Sequence, residues 1–146
     1  MMDQGQTQEL YEQIIMGCAI AQASLRALTR RARQKEIALD MAELRHKYEM
    51  IAQEANLGLR LAEGTHMPRA MLPRAGNCMT IYCKTLFDRS PDNLAHIVIR
   101  GFQTGEKELR DYKQAYINAE NEAKELCAQL LHMQQREKMR FRKYLN

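Results

Sequence analysis

Apolar residues recur at steps of three and four along the first 62 positions, in two series separated by a polar segment near Gln34. The first series is Leu10, Ile14, Cys18, Ala21, Leu25, Leu28 and Ala32, and the second is Ile37, Met41, Leu44, Tyr48, Ile51, Ala55, Leu59 and Ala62. This spacing places each series on one face of a helix. It predicts two long helices, over about 6–33 and 36–62, that fold back on one another.

The second half of the chain carries two further apolar series, separated by a break near Asn118. The third follows Ser90-Pro91, where serine suits the cap position and proline the first turn of a helix. Its members are Leu94, Val98, Phe102, Gly105, Leu109, Tyr112 and Tyr116, and those of the fourth are Ala123, Leu126, Leu130, Met133, Glu137, Phe141 and Tyr144. The pattern predicts helices over about 91–117 and 119–144.

The segment between these two pairs of helices is unusually long. Residues 63–75 contain two of the three prolines and cannot continue a helix, whereas residues 77–88 are apolar enough for a short one. A connector over 63–90 is long enough to cross the length of a bundle, and no strand pattern appears. We therefore predict a single all-α domain over 1–146, built from two antiparallel helical hairpins joined by a crossover with a short helix over about 77–88. An alternating up-down topology is the alternative.

Residues 82–116, "YCKTLFDRSPDNLAHIVIRGFQTGEKELRDYKQAY", resemble a bacterial ferritin-like family of unknown function. The features that carry the resemblance are a short helix before the capped long helix, Asp92, the Gly105-Glu106 pair and Tyr112. The resemblance implies a ferritin-like four-helix bundle and self-association, and it implies no settled activity.

The composition is that of an ordinary globular chain, with 45% hydrophobic and 27% charged residues and only 7 Gly and 3 Pro. The sequence starts without a basic region followed by an apolar run, so we expect no secretory signal. Its longest nearly apolar run, IIMGCAIA, is too short to span a bilayer. We therefore expect a cytoplasmic protein with free thiols and without a membrane partner.

Residues 43–46, "ELRH", place a glutamate and a histidine three positions apart. This is half of the motif by which four-helix bundles bind a pair of iron or manganese ions. The nearest counterpart, "QLLH" at 129–132, has glutamine in place of the carboxylate. Glu43 and His46 also lie beside their apolar series rather than on it, so a polar helix flank is the favoured interpretation.

Three other residues are the metal-ligand candidates. Glu137 interrupts the fourth apolar series, and a buried carboxylate requires a partner. Glu106 and His132 lie at similar heights on the third and fourth helices, so they could meet. A degenerate metal site at Glu106, His132 and Glu137 is thus one hypothesis, and ion pairs or helix-flank contacts are the favoured alternative. We predict no cofactor, and iron or manganese if a metal binds.

Basic residues are concentrated in two segments, 30–35 and 136–143, which hold nine of the 22 Lys and Arg, although the net charge is only +4. In the crossover topology the two segments meet at one end of the bundle. The candidate anion-binding residues are Arg30, Arg31, Arg33, Lys35, Arg140, Arg142 and Lys143. Cations that complement the C-terminal ends of helices are the favoured interpretation of both segments.

These observations favour a non-enzymatic ferritin-like bundle that acts through self-association or partner binding. We expect a homo-oligomer, with a dimer as the first expectation, and a protein partner is left open. A metal-binding ferritin relative with a degenerate site is the first alternative. Anion or nucleic-acid binding through the basic end is the second, and nucleic acid is not expected because the total charge is low and no recognised motif is present.

Overall fold

The computed structural model describes residues 3–63, 84–85 and 88–146. Over this part of the chain the protein is all-helical, with no strand, which confirms the predicted all-α class. Its elements are α1 (Gln4–Arg31), α2 (Lys35–Glu63), α3 (Pro91–Ala115), α4 (Asn121–Phe141) and a 3-10 turn (Arg142–Tyr144). The predicted short helix over about 77–88 falls largely outside the described residues. None of the described helices combines the length and the apolar character needed to cross a membrane.

The helices begin and end where local chemistry favours it. Asp3 caps α1 by accepting hydrogen bonds from the backbone amides of Gly5 and Gln6. Ser90 caps α3 in the same way, and Pro91 occupies the first turn, where its missing N–H costs nothing. At the end of α1, Ala32 adopts an extended conformation, and this opens the short turn into α2.

One hydrophobic core joins all four helices. Leu10, Leu44 and Leu94 are among its buried aliphatic members, and the rings of Phe102 and Phe141 lie 6.2 Å apart at its α3–α4 side. Most of the core residues are those that the apolar spacing places on one face of each helix. A few polar residues are buried as well, and these are Thr7, Asp40, Thr85, Glu106, Gln134 and Glu137.

Contacts at the helix ends show which ends lie together. At one end of the molecule, Gln4 Nε2 donates to the Ala62 carbonyl of α2 at 2.5 Å, and the Asp3 amide donates to the Asn118 carbonyl at 2.6 Å. At the other end, Arg89 Nε donates to the Arg31 carbonyl at 2.5 Å. The start of α3 therefore lies beside the end of α1.

Candidate functional site

A cluster of charged side chains joins the start of α2 to the end of α4. Arg140 of α4 is its centre, with Nη2 2.7 Å from both Asp40 Oδ1 and Glu43 Oε2 on α2. Lys143 Nζ adds contacts of 3.0 Å to Asp40 Oδ2 and 3.3 Å to Glu36 Oε1. We call Asp40, Glu137, Arg140, Lys143 and Tyr144 the end cluster.

The two carboxylates of the end cluster are buried and paired. Glu137 Oε1 lies 2.9 Å from Lys47 Nζ and 3.5 Å from Arg140 Nη1, so two cations converge on one buried carboxylate. The apolar series of α4 predicts that a carboxylate at position 137 needs a partner, and these two cations are the partners. With two cations beside it, the buried carboxylate is charge-compensated and is not an open ligand position.

The pKa values in the end cluster follow from these contacts. Burial acts to raise the pKa of Asp40, but hydrogen bonds from Tyr144 and Lys143 and the charge of Arg140 together hold it below its ordinary value. Burial, together with the hydrogen bond to Asp40, raises the pKa of Tyr144 to about 12. The hydrogen bond to Asp40 also raises the pKa of Lys143. The three pKa shifts keep Asp40 and Lys143 charged and Tyr144 neutral, and in these states the three side chains attract one another.

The predicted anion-binding residues fall into two groups. Arg140 and Lys143 are occupied by the carboxylates of α2, and Arg31 donates to the Thr85 hydroxyl at 3.0 Å and to its carbonyl at 3.2 Å. The others are exposed at the same end of the molecule, and these are Arg30, Arg33, Lys35 and Arg142. The structure thus brings the two basic segments to one end, where acidic side chains neutralise part of their charge.

The structure separates the three metal-ligand candidates. Glu106 is buried, with Oε1 2.8 Å from Lys138 Nζ and Oε2 3.9 Å from Arg110 Nη2. Glu137 belongs to the end cluster, and His132 is exposed. Among the residues that the structure describes, no group of three or more His, Cys, Asp or Glu side chains is placed to hold a metal ion.

The "ELRH" segment forms part of the outer surface of α2. The side chain of Glu43 is 59% exposed and reaches Arg140, and that of His46 is 69% exposed and lies 3.8 Å from Glu49. Both side chains therefore belong to a polar helix flank, as the apolar spacing indicates.

A cavity of about 380 Å³ lies between α1 and α3, and the sequence analysis did not identify it. Its walls include Gly17 on α1 and Gly101 on α3, and its floor is formed by Tyr48 of α2 and Gln134 of α4. Gly101 and Gly105, four residues apart on one face of α3, are the sequence signal that could have indicated it. Residues without side chains leave a gap between helices that larger residues would fill.

An exposed apolar stripe follows the outer face of α2, and the sequence analysis did not identify it either. We call Leu39, Met50, Leu57 and Leu61 the α2 stripe, and they are 55%, 47%, 59% and 78% exposed. At about 100° per residue, these four positions fall within about 40° of one another, opposite the buried face of the helix. Among the described residues, the only other large exposed apolar side chains are Ile117 and Met139.

Comparison with known proteins found no matching family model, and searches of curated proteins and of solved structures found no match. The resemblance of residues 82–116 to a ferritin-like family stays a prediction.

Proposed function

We propose that this chain is a non-enzymatic, ferritin-like helical bundle that acts through self-association. The proposed assembly is a homodimer in which the α2 stripes of two copies pack against each other. The single observation that carries the proposal is the α2 stripe itself, because four of the six large exposed apolar side chains among the described residues fall on it. Large apolar residues exposed singly are ordinary, whereas four of them on one face of a helix, here with Glu43 and His46 between Leu39 and Met50, favour an interaction surface.

The proposed fold is a pair of antiparallel helical hairpins with a crossover between them. The contact between Gln4 and Ala62 supports an antiparallel α1–α2 pair, since it joins the start of one helix to the end of the other. The contact between Arg89 and Arg31 supports a crossover, because α2 ends at the opposite end of the bundle from the start of α3. This course is that of the ferritin-like bundles, in which one long connection spans the bundle.

The spacing of the α2 stripe fits a second copy of the chain. In an antiparallel pair of α2 helices centred on Met50, Leu39 of one copy lies opposite Leu61 of the other. The Met50 side chains of the two copies lie opposite each other at the centre. The same register places His46 opposite Glu54 and Leu57 opposite Glu43, so the apolar contacts lie at the centre and at the two ends of the interface, with polar residues between them. Such self-complementarity is what a two-fold interface requires.

The α2 stripe extends along most of α2. From Leu39 to Leu61 it runs about 33 Å along the helix at 1.5 Å per residue. A standard interface buries roughly 800 Å² on each partner, so in the proposed dimer the polar residues beside the stripe are buried with it. We place the protein in the cytoplasm, in keeping with free and buried thiols at Cys18 and Cys127.

The proposal is tested by light scattering coupled to size-exclusion chromatography. We expect the wild-type chain to have the mass of a dimer and Met50→Glu to have that of a monomer, because two carboxylates would meet at the two-fold axis. Met139→Glu is the matched control, since Met139 is 60% exposed but lies on α4 and not on the α2 stripe. A monomeric wild type, or equal effects of the two substitutions, would contradict the proposal.

A further inference from the structure

We propose that one end of the bundle binds a single strand of nucleic acid through its phosphates, with little preference among bases. Five exposed cations form the site, and we call them the basic patch: Arg26 and Arg30 of α1, Arg33 and Lys35 at the turn into α2, and Arg142 of the 3-10 turn. None of the five is part of the α2 stripe, so the proposal does not rest on the proposed dimer.

Arg26, Arg30 and Arg33 follow one another along the end of α1. Arg26 and Arg30 are four residues apart on the helix, so they lie on the same side of it and about 6 Å apart along its axis. Arg33 follows in the turn after α1 ends. Because residues 13–35 contain no Asp or Glu, no acidic side chain of this segment interrupts the row.

The fold brings Arg142 to the same end of the molecule as Lys35. Lys143 Nζ lies 3.3 Å from Glu36 Oε1, and this ion pair places the 3-10 turn beside the first turn of α2. Arg142 precedes Lys143 in the chain, and Lys35 precedes Glu36. Two segments that are distant in sequence therefore contribute to one basic patch.

The side chains of the basic patch are free to contact an anion. None of the five forms an ion pair with another described residue. The acidic residues of the described segments that meet at this end, 26–47, 88–92 and 136–146, already accept a hydrogen bond or pair with a cation of the chain. These residues are Glu36, Asp40, Glu43, Asp88, Asp92 and Glu137. The carboxylates of this end therefore do not compensate the charge of the basic patch.

Acidic residues are concentrated at the opposite end of the bundle. The amide of Glu120 donates to the Thr7 hydroxyl at 2.8 Å, and this contact places the α3–α4 turn beside the start of α1. Glu9, Glu12, Glu120 and Glu122 thus lie at that end. The low net charge of +4, which argues against nucleic acid when only the sequence is considered, results in part from charges of opposite sign at the two ends. A polyanion would be attracted to the end with the basic patch.

The course of the basic patch fits a flexible strand better than a flat membrane. Arg26 lies about 7.5 Å before the last residue of α1, on the side of the bundle, whereas Lys35 and Arg142 lie at its end. A strand of nucleic acid is able to bend from the side of the bundle to its end, with a phosphate at each cation. A bilayer surface contacts either the side or the end, so it would leave part of the basic patch unused.

Phosphates, rather than bases, are the groups that the basic patch is suited to bind. Four of its five members are arginines, whose planar guanidinium groups form paired hydrogen bonds with phosphate oxygens. Bases of a single strand bind to proteins largely by stacking on aromatic rings, and every aromatic side chain among the described residues is buried or half-buried. Tyr144, which is close to Arg142 in the chain, has its hydroxyl bound to Asp40. We therefore expect binding with little dependence on base sequence.

The test is fluorescence anisotropy with a fluorescein-labelled 20-nucleotide oligothymidylate, titrated at NaCl concentrations from 25 to 150 mM. Five phosphate contacts to a single strand correspond to a slope of about −3.5 in the logarithm of the association constant against the logarithm of the salt concentration. We expect a slope between about −2 and about −4. The affinities for oligothymidylate and for oligocytidylate of the same length should agree within about twofold.

A charge-matched pair of double variants locates the site. Arg26→Gln combined with Arg30→Gln should weaken binding about tenfold at 25 mM NaCl and make the slope shallower by about 1.4. Arg60→Gln combined with Lys113→Gln removes the same charge from the last turns of α2 and α3, and it should weaken binding less than about threefold. All four positions are exposed, so both double variants should keep the melting temperature of the wild type.

Three results would overturn the proposal. The first is no binding of the oligonucleotide by the wild type at 25 mM NaCl, and the second is an equal loss of affinity in the two double variants. The third is sedimentation with vesicles of equal parts phosphatidylglycerol and phosphatidylcholine by a protein that does not bind the oligonucleotide. That result would assign the basic patch to a membrane surface.

Discussion

Tyr144 Oη donates a hydrogen bond to Asp40 Oδ2 at 2.5 Å, and this contact ties the last turn of the chain to the start of α2. The two residues are 104 positions apart. Because Arg140 and Lys143 bind the same carboxylate, the C-terminal segment is held by charge as well as by the packing of Phe141 in the core.

We expect the stability contributed by Asp40 to disappear in acid. Its pKa is lowered in the folded protein, so it stabilises the fold above the unfolded-state value near 3.8, and this contribution is lost as the pH falls through the lower folded value. Asp40→Asn should therefore reduce the free energy of unfolding by about 1–3 kcal/mol at pH 7, and by much less near pH 3. Urea denaturation across this pH range is the measurement.

Glu36→Gln is the control for this prediction. Glu36 also contacts Lys143, but its side chain is 71% exposed, and an exposed ion pair contributes little. The variant should have nearly wild-type stability at both pH values. A deficit of Asp40→Asn that is the same at pH 7 and pH 3 would mean that the carboxylate charge is not what stabilises the cluster.

Arg140→Gln should be the most damaging of the charge substitutions in the end cluster. It would remove the one cation that both buried carboxylates contact, leaving Asp40 with Lys143 and Glu137 with Lys47, and a buried charge with weaker compensation is destabilising. We expect a loss of about 2–3 kcal/mol in the free energy of unfolding at pH 7. Arg142→Gln removes the same charge from an exposed position of the 3-10 turn and should change stability by less than about 0.5 kcal/mol. Similar losses in both variants would show that net charge, not pairing, is responsible.

Gly58→Ala should destabilise the protein although alanine is the better helix former. A Cβ atom at Gly58 would overlap the buried ring of Tyr11, so either this ring or the two helices would have to move. We expect a cost of about 1–3 kcal/mol by thermal unfolding. Gly17→Ala, where a Cβ would have no neighbour within 4 Å, should instead stabilise by about 0.5–1 kcal/mol. A stabilising Gly58→Ala would contradict the close approach of the two helices.

Cys18 should be inert to thiol reagents in the folded protein. Its side chain is fully buried, and burial raises the pKa of the thiol to about 12, so very little thiolate is present at pH 8. Alkylation with iodoacetamide followed by peptide mass spectrometry should leave Cys18 unmodified in buffer and modify it in urea. Rapid modification in buffer would show that α1 opens readily from the core.

The sequence predicted the elements better than it predicted their polar contacts. Steps of three and four identify the faces that carry Leu10, Leu44 and Leu94, because burial of one helix face is a local pattern. The same pattern assigned Gly105 to the core face of α3, whereas the structure buries its neighbour Glu106 and places Gly105 against the amide of Gln134. Because glycine has no side chain, the sequence does not indicate which group packs against Gly105.

Apolar spacing does not predict which side chains form ion pairs with the buried carboxylates. The position of Glu137 in an apolar series indicated that it needs a partner, yet nothing local identifies Lys47, which is 90 positions away. The spacing of Leu39, Met50 and Leu57 already places the α2 stripe on one face of the helix. The stronger apolar series on the opposite face of α2 identifies the core side, so the stripe is not recognised from the spacing alone. The cavity likewise depends on how far α1 and α3 stand apart, which only tertiary structure fixes.

The most direct test of self-association through the α2 stripe is a mixing experiment with Met50→Glu and Met50→Lys. In the proposed two-fold register Met50 meets its own copy, so each variant alone places like charges together and should be monomeric by analytical ultracentrifugation. Mixed in equal amounts, the two variants should form a heterodimer, because the introduced carboxylate and ammonium groups then face each other. A mixture that stays monomeric, while the wild type is a dimer, would contradict the α2 interface.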